Sequence, residues 1–153
     1  MLRAGIIWRA MTSSWTDDTL AALGKAGFRS GSARRAVIEL LGRQDCCLTA
    51  QQIFDGLRSD GRTVGIASVY RVLDLLSEKG LVQRIDVGAG TARFEPLYRS
   101  GEHHHHLVCD GCGKVEAFAD EELEHALHKV EGRTGYSVAG HDVVLRGACS
   151  DCR

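Results

Sequence analysis

The segment GIASVYRVLDLLSEKGLVQRIDVGAGTARFEPL, residues 65–97, decides the fold class of this chain. Apolar side chains recur at helical spacing through residues 65–79, and Gly80 follows as a stop signal. The period then changes to two strand-like runs, residues 81–87 and 91–97, with a short glycine-containing turn between them. A helix followed directly by a β-hairpin predicts the end of a winged helix-turn-helix domain.

Three shorter helices are predicted ahead of this segment. Residues 17–26 have the composition of the first helix, and Ser32 is a candidate N-cap for the second. Thr49 is the expected N-cap of the third helix, which should end at Asp60. Residues 1–16 are expected to form a loose tail.

The remainder, residues 98–153, predicts a second domain in the order β-β-α-β. Strands are expected near 106–109, 114–118 and 140–147, with a helix across 120–131. A unit this small has a thin core and usually needs a metal ion or a partner subunit for stability.

Charge is distributed unevenly between the two parts. Residues 1–97 contain 13 of the 19 Lys and Arg residues and 10 of the 20 Asp and Glu residues, so their net charge is +3. Residues 98–153 have a net charge of −4 and contain all seven histidines. A mildly basic half joined to an acidic, histidine-rich half suggests one surface for polyanions and another for cations.

The composition, with 44% hydrophobic and 25% charged residues, is typical of soluble globular proteins. No apolar run approaches the roughly 18 residues that a membrane-spanning helix needs. The apolar stretch near the N-terminus is too short for a secretion signal, and Arg9 interrupts it. We therefore expect a cytoplasmic protein with no membrane partner.

Two CxxC pairs predict a structural zinc site. They are Cys109-Asp-Gly-Cys112 and Cys149-Ser-Asp-Cys152, separated by 36 residues. The spacing lets both sulfurs of each pair face one ion, and four thiolates close a tetrahedral site with no open position. Two disulfides or free thiols are the alternatives. The predicted fold class is therefore α+β, with an N-terminal winged helix-turn-helix followed by a small α/β dimerisation domain with a four-cysteine zinc site.

The adjacent Cys46 and Cys47 follow an apolar helix. Cysteines in that position are commonly small hydrophobic residues, and a role as metal ligands is the alternative.

Four consecutive histidines, residues 103–106, run into the strand expected before Cys109. Alternation along a strand sends His103 and His105 to one face and His104 and His106 to the other, so one run can serve two metal sites. Further candidate ligands downstream are Glu124, His125, His128 and His141. A solvated polar loop is the alternative interpretation.

Two longer runs combine these motifs. One is His103-His-His-His-Leu-Val-Cys-Asp-Gly-Cys-Gly-Lys-Val115, and the other is Gly65-Ile-Ala-Ser-Val-Tyr-Arg-Val-Leu73, just before the wing. Together with the C-terminal CxxC, they resemble the ferric uptake regulator family, and the resemblance covers nearly everything from about residue 19 to the end.

The resemblance implies a dimeric transcriptional repressor, not an enzyme. Such a repressor binds a regulatory divalent metal, Fe²⁺ or Zn²⁺, and docks two winged helices on an AT-rich palindromic DNA operator. The structural zinc ligands it implies are Cys109, Cys112, Cys149 and Cys152. The implied ligands of a site within the dimerisation domain are His103, His105, Glu124 and His141. The implied ligands of an interdomain regulatory site are Cys47, Glu95, His104 and His106.

The sequence departs from the family pattern at several positions. Ala117 stands where peroxide-sensing members carry an acidic residue, which argues against that subclass. Gln83 stands where zinc-sensing members of related lineages use an aspartate, and no cysteine lies near the wing. Two extra residues between Glu95 and the histidine run weaken the transfer of that ligand.

Five residues are candidates for contact with DNA. On the fourth helix, Ser68 and Arg71 lie away from the apolar stripe, and Tyr70 at its boundary is placed to contact a thymine methyl group. Arg29 matches the family's basic residue before the second helix, and Arg34 is a candidate phosphate contact. For each arginine taken alone, a solvated side chain is an equally good interpretation.

Two other functions fit parts of the sequence. A zinc-dependent enzyme needs an open coordination position and a base, and no HExxH or comparable motif is present. A zinc-stapled interaction module leaves the winged-helix pattern unexplained. Within the regulator class, a zinc uptake regulator is the alternative: a thiolate at Cys47 favours zinc, whereas Glu95 with two imidazoles suits ferrous iron equally well.

Overall fold

The computed structural model describes two compact units, Met1–Gly101 and Glu102–Arg153. The described residues are 7–29, 31–88, 90–98 and 104–153, with side chains described from residue 15 onward. His103, a predicted metal ligand, lies outside the described residues.

The first unit is a winged helix, which confirms the predicted fold class. Its elements are α1 Ile7–Lys25, α2 Ser32–Gly42, β1 Leu48–Thr49, α3 Ala50–Ser59, α4 Ile66–Glu78, β2 Val82–Ile85 and β3 Arg93–Pro96. The three strands form an antiparallel sheet in the order β1-β3-β2, in which β2 and β3 are the predicted hairpin.

The apolar face of α4 lies at the centre of this unit. Val69, Leu73 and Leu76 are fully buried and belong to the same core cluster as Leu41 of α2 and Ile53 of α3. Burying such side chains contributes roughly 1.5–3 kcal/mol each. Because the inner face of α4 is fixed by this packing, its outer face is available to another molecule.

The N-terminal helix corrects one expectation. Residues from 7 onward are helical, whereas the sequence predicts a loose tail over residues 1–16. Trp15, Thr19 and Leu23 are buried at a spacing of four residues, which aligns them on one helix face. The Trp15 indole N–H also donates a hydrogen bond to the Leu81 carbonyl at 3.1 Å. These contacts stabilise the N-terminal part of α1. Because they involve residues far along the chain, the local sequence does not reveal where this helix begins.

The N-cap of α3 is the residue that the sequence predicts, whereas the N-cap of α2 is not. Thr49 caps α3 as expected, since its hydroxyl accepts from the Gln52 N–H while the Gln52 side chain accepts from the Thr49 N–H. The N-cap of α2 is Gly31 rather than Ser32, with extended backbone and no side-chain capping bond. Ser32 is the first helical residue, so its hydroxyl does not serve the predicted role.

The short strand β1 was not predicted. It pairs with β3 so that Leu48 faces Phe94 and Thr49 faces Arg93. Two residues are too few to show the period of two that marks a strand in sequence. The strand matters because it ties the loop after α2 to the second strand of the wing.

Over its described residues, 104–153, the second unit is a three-stranded sheet with one helix. Its elements are β4 His105–Cys109, β5 Val115–Phe118, α5 Glu121–Thr134 and β6 Val144–Gly147. The strand order is β5-β4-β6, with β4 antiparallel to β5 and parallel to β6. Asp120 caps α5 by accepting from the Leu123 N–H at 2.8 Å, and three glutamates follow in the first turn.

This second unit has little core of its own. No residue of α5 is buried, and apolar side chains are exposed on both the strands and the helix region. These exposed side chains are Leu107, Val130, Tyr136, Val138 and Leu145. None of the described helices is long and apolar enough to cross a membrane.

Candidate metal centres and DNA-binding surface

The parallel pairing of β4 with β6 brings the two CxxC pairs together. Cys109 ends β4 opposite Gly147 of β6, so the C-terminal turn that carries Cys149 and Cys152 returns beside the turn after β4. The Asp110 N–H donates to the Gly147 carbonyl at 2.8 Å and fixes this approach. The predicted cysteines therefore form one cluster.

The four sulfur atoms have the spacing of a zinc site. All lie within 4.8 Å of one another, and Cys112 Sγ is 3.8 Å from Cys149 Sγ. Zn–S bonds of about 2.3 Å in a tetrahedron give sulfur–sulfur edges of about 3.8 Å. The Cys149 N–H donates to Cys109 Sγ at 3.3 Å, a contact that supports a thiolate. The donor set thus fits a structural zinc ion.

The thiols of this cluster ionise unequally. Backbone N–H groups of Cys149 and Cys112 lower the pKa of the Cys109 thiol from 9.0 to about 6. The Cys149 side chain, followed by the other sulfurs, raises the pKa of Cys152 to about 12. Four sulfurs at this spacing cannot all carry charge without a cation between them. Zinc binding should therefore release protons from this cluster.

Gly111 is required by the closeness of the sulfurs. A Cβ on this residue would lie 3.1 Å from Cys152 Sγ and 3.2 Å from Cys152 Cβ. We expect Gly111→Ala to weaken zinc retention about tenfold or more, the size of effect seen when the surroundings of metal ligands are disturbed. Zinc release to a chromophoric chelator measures this effect.

Gly140→Ala is the matched control, because a Cβ there would meet nothing within 4 Å. Equal rates of zinc release from the two variants would show that the tight approach at Gly111 does not constrain the site.

A second cluster joins β4, α5 and the segment before β6. His105 Nε2 lies 2.6 Å from Glu124 Oε1, and His141 Nε2 lies 3.1 Å from Glu124 Oε2. His105 is 1% exposed, while Glu124 and His141 are partly buried. Two imidazoles converging on one carboxylate are a donor set for a divalent cation. Three of the four residues expected at the dimerisation-domain site are thus together.

The histidine run alternates as a strand requires. His105 faces Glu124, whereas the rings of His104 and His106 pack edge to face with centroids 5.1 Å apart. His125 and His128 of α5 do not belong to either described cluster of the second unit, and the His128 side chain is 80% exposed.

In the first unit, the β1–β3 pairing places Cys47 beside Glu95. Leu48 faces Phe94, so continuing the register by one residue sets Cys47 opposite Glu95. Both residues are buried. The neighbouring Cys46 sulfur, burial and the Glu95 carboxylate all raise the pKa of the Cys47 thiol. A divalent cation would favour the thiolate here and reverse this effect.

Gln83 is a partner that sequence reasoning missed. It faces Glu95 across the hairpin, and its side-chain amide donates to Glu95 Oε1. The signal was available in the hairpin register, which follows once the turn is placed. Gln83 therefore orients the carboxylate expected at the regulatory site.

The outer face of α4 presents the predicted contact residues. Tyr70 is 52% exposed, Arg71 is exposed, and Ser68 is partly buried. The Arg71 side chain donates to the Ala67 carbonyl at 3.3 Å, which folds it along the helix in the free protein.

Before α2, an aromatic ring fixes one of the two predicted arginines. The Arg34 guanidinium lies over Phe28, 5.6 Å from the ring centroid, and donates to the Arg29 carbonyl. Lys79 Nζ lies 5.4 Å from the same ring centroid. Arg34 is thus held in place, whereas Arg29 is exposed.

Comparison with known proteins identifies relatives that match most of the chain. A model of the ferric uptake regulator family matches residues 25–146, well over half of the chain. The zinc uptake regulation protein of Mycobacterium tuberculosis is 38% identical over 130 residues, covering 84% of this chain and 97% of that protein. The ferric uptake regulation protein of Neisseria gonorrhoeae is 31% identical over 137 residues, covering 89% and 94% respectively.

Solved structures agree in fold. The Vibrio cholerae ferric uptake regulator matches with a TM-score of 0.76 and 31% identity, over 86% of this chain and 100% of that chain. The Helicobacter pylori ferric uptake regulator, whose structure reveals three functional metal binding sites, matches with a TM-score of 0.77 and 26% identity, over 92% and 93%.

A winged helix joined to a unit with clustered metal donors defines a metal-responsive transcriptional regulator. The chain belongs to the ferric uptake regulator family, whose members are transcription regulators rather than enzymes.

Proposed function

We propose that this protein is a homodimeric repressor that binds an AT-rich palindromic operator when a regulatory divalent metal, Fe²⁺ or Zn²⁺, is bound. The observation that carries this proposal is the distribution of metal donors between the two units. Cys47 and Glu95 lie side by side in the winged helix, whereas His104 and His106 share one strand face of the second unit. One ion held by both sets would couple the two units.

The outer face of α4 is proposed to read the major groove. Its inner face is fixed in the core, so Tyr70 and Arg71 are presented on a rigid support. Tyr70 supplies an apolar ring for a thymine methyl group, and Arg71 can bond a guanine edge or a phosphate. Arg29 is proposed to enter the adjacent minor groove, which is narrow in AT-rich DNA.

The second unit is proposed to dimerise. Its exposed apolar residues, and the absence of any buried residue from α5, leave it with less core than a stable small domain needs. A second copy would cover these side chains and set the spacing of two winged helices. A palindromic operator then follows from the twofold symmetry of the dimer.

Metal binding and DNA binding are proposed to be linked. An ion that joins Cys47 and Glu95 to His104 and His106 restricts the two units to one arrangement. If the dimer binds DNA in that arrangement alone, each ligand strengthens the other by the same coupling energy, commonly about 1–3 kcal/mol. The cluster of His105, Glu124 and His141, completed by His103, is proposed as a second divalent site that stabilises the dimerisation domain.

The proposed setting is the cytoplasm, where the repressor would meet both its operator and free metal ions. To test the mechanism, a duplex is first enriched from a random library with the zinc-loaded protein. Fluorescence anisotropy then follows binding at fixed salt while Zn²⁺, anaerobic Fe²⁺ and Mn²⁺ are titrated separately. We expect one metal to switch binding on at the lowest free concentration. Binding that no metal changes, on any enriched duplex, would refute the repressor mechanism.

A further inference from the structure

The adjacent cysteines that precede β1 have a further proposed role, which rests on the metal-dependent repressor function proposed above. We propose that Cys46 and Cys47 are both thiolate ligands of the regulatory metal, so that the site selects zinc and other thiophilic divalent ions over Fe²⁺ and Mn²⁺. The family resemblance implies a ligand only at Cys47, and the sequence leaves metal ligation by Cys46 as an alternative to a small hydrophobic residue.

The two sulfur atoms lie close enough together to bind one ion. Cys46 Sγ lies 3.8 Å from Cys47 Sγ. The same separation, 3.8 Å, joins Cys112 and Cys149 in the four-cysteine cluster. It equals the edge of about 3.8 Å in a tetrahedron of sulfurs around zinc. Both sulfurs of the pair can therefore reach one ion with little rearrangement.

The two cysteines are buried to different degrees. Cys47 is buried at 2% exposure, whereas Cys46 is only partly buried and its sulfur contacts the Cys47 sulfur. Burial in the apolar core therefore does not by itself account for Cys46.

The chemistry of the neighbours supports a cation at this place. Glu95 faces Cys47 across the β1–β3 pairing, so a carboxylate lies beside two potential thiolates. Gln83 already donates to Glu95 Oε1, which fixes the position of the carboxylate. Because metal ligation requires thiolates, a bound cation would balance the negative charge that the two cysteines and Glu95 would then carry.

The resulting donor set predicts the metal class. Two thiolates give the regulatory site a soft pair of donors. Soft thiolate ligands favour zinc, whereas carboxylate and water ligands suit Mn²⁺.

Cobalt spectroscopy tests this directly. The protein keeps zinc in its four-cysteine site, and Co²⁺ alone is titrated into the regulatory site. Sulfur-to-cobalt charge-transfer absorption reports the number of thiolates on the ion. We expect Cys46→Ser and Cys47→Ser each to lose about half of the wild-type absorption, and the double variant to lose all of it. Zinc affinity at this site should fall about tenfold or more in Cys46→Ser, with little change for Mn²⁺.

Circular dichroism melts check that each variant remains folded. Wild-type charge-transfer intensity in Cys46→Ser, with no charge-transfer absorption in Cys47→Ser, would overturn the role of Cys46 and leave the proposed function standing. Full intensity in the double variant would overturn the whole cysteine site. A two-thiolate spectrum combined with metal-independent DNA binding would instead support the ligation and refute the repressor mechanism.

Discussion

Replacing Cys112 with alanine is expected to release the structural zinc and unfold the second unit. The cluster holds the C-terminal turn against the turn after β4, and α5 contributes no buried residue that could compensate. Structural zinc binding provides about 10–16 kcal/mol of apparent free energy in small domains, which is as large as the total stability of a typical domain. The second unit should therefore be folded only with zinc bound.

Zinc content by elemental analysis and a thermal melt by circular dichroism measure this effect. The variant should lose about one zinc per chain together with the cooperative transition of the second unit. Ser150→Ala is the matched control, since Ser150 is exposed in the same C-terminal turn. A Cys112→Ala protein that kept its zinc and its melting curve would show that the cluster is not a structural site.

Replacing His106 with alanine is expected to abolish the response of DNA binding to metal while leaving a folded dimer. His106 and His104 share the strand face opposite His105, so the variant removes an imidazole of the regulatory site without touching the pair of His105 and Glu124. A coupling energy of about 1–3 kcal/mol corresponds to a loss of about 5-fold to 150-fold in operator affinity. Anisotropy titrations with saturating metal measure this loss.

His128→Ala is the control for this variant, because the His128 side chain is 80% exposed on α5. Zinc content and sedimentation should be normal in both proteins, which separates a lost switch from a lost fold. Full metal response in His106→Ala would mean that the ion does not use this strand face.

The parts of the fold that depend on local signals could be predicted from the sequence. Helices α3 and α4 and the hairpin follow from apolar periodicity, from the Thr49 capping box and from the glycine after α4. Helix α1 could not be delimited, because Trp15 is held by a hydrogen bond to Leu81, far along the chain. Contacts between distant residues leave no mark on the local pattern.

The candidate sites also differ in how far the sequence predicts them. The CxxC spacing carries its own chemistry, so the four cysteines can be grouped from their positions in the sequence alone. The pairing of Cys47 with Glu95 depends on β1, a strand of two residues that has no periodicity to detect. The contact of the Cys46 sulfur with Cys47 is seen only in the structure, whereas the sequence leaves Cys46 open as either a small hydrophobic residue or a metal ligand.

The measurement that tests the central claim most directly is the metal affinity of the regulatory site with and without DNA. Competition with a chelator gives the zinc affinity of the protein alone and of the protein on its enriched duplex at the same salt concentration. Linkage requires the duplex to raise the metal affinity by the same factor by which the metal raises the DNA affinity, about 5-fold to 150-fold. An unchanged metal affinity on DNA would contradict the coupled switch.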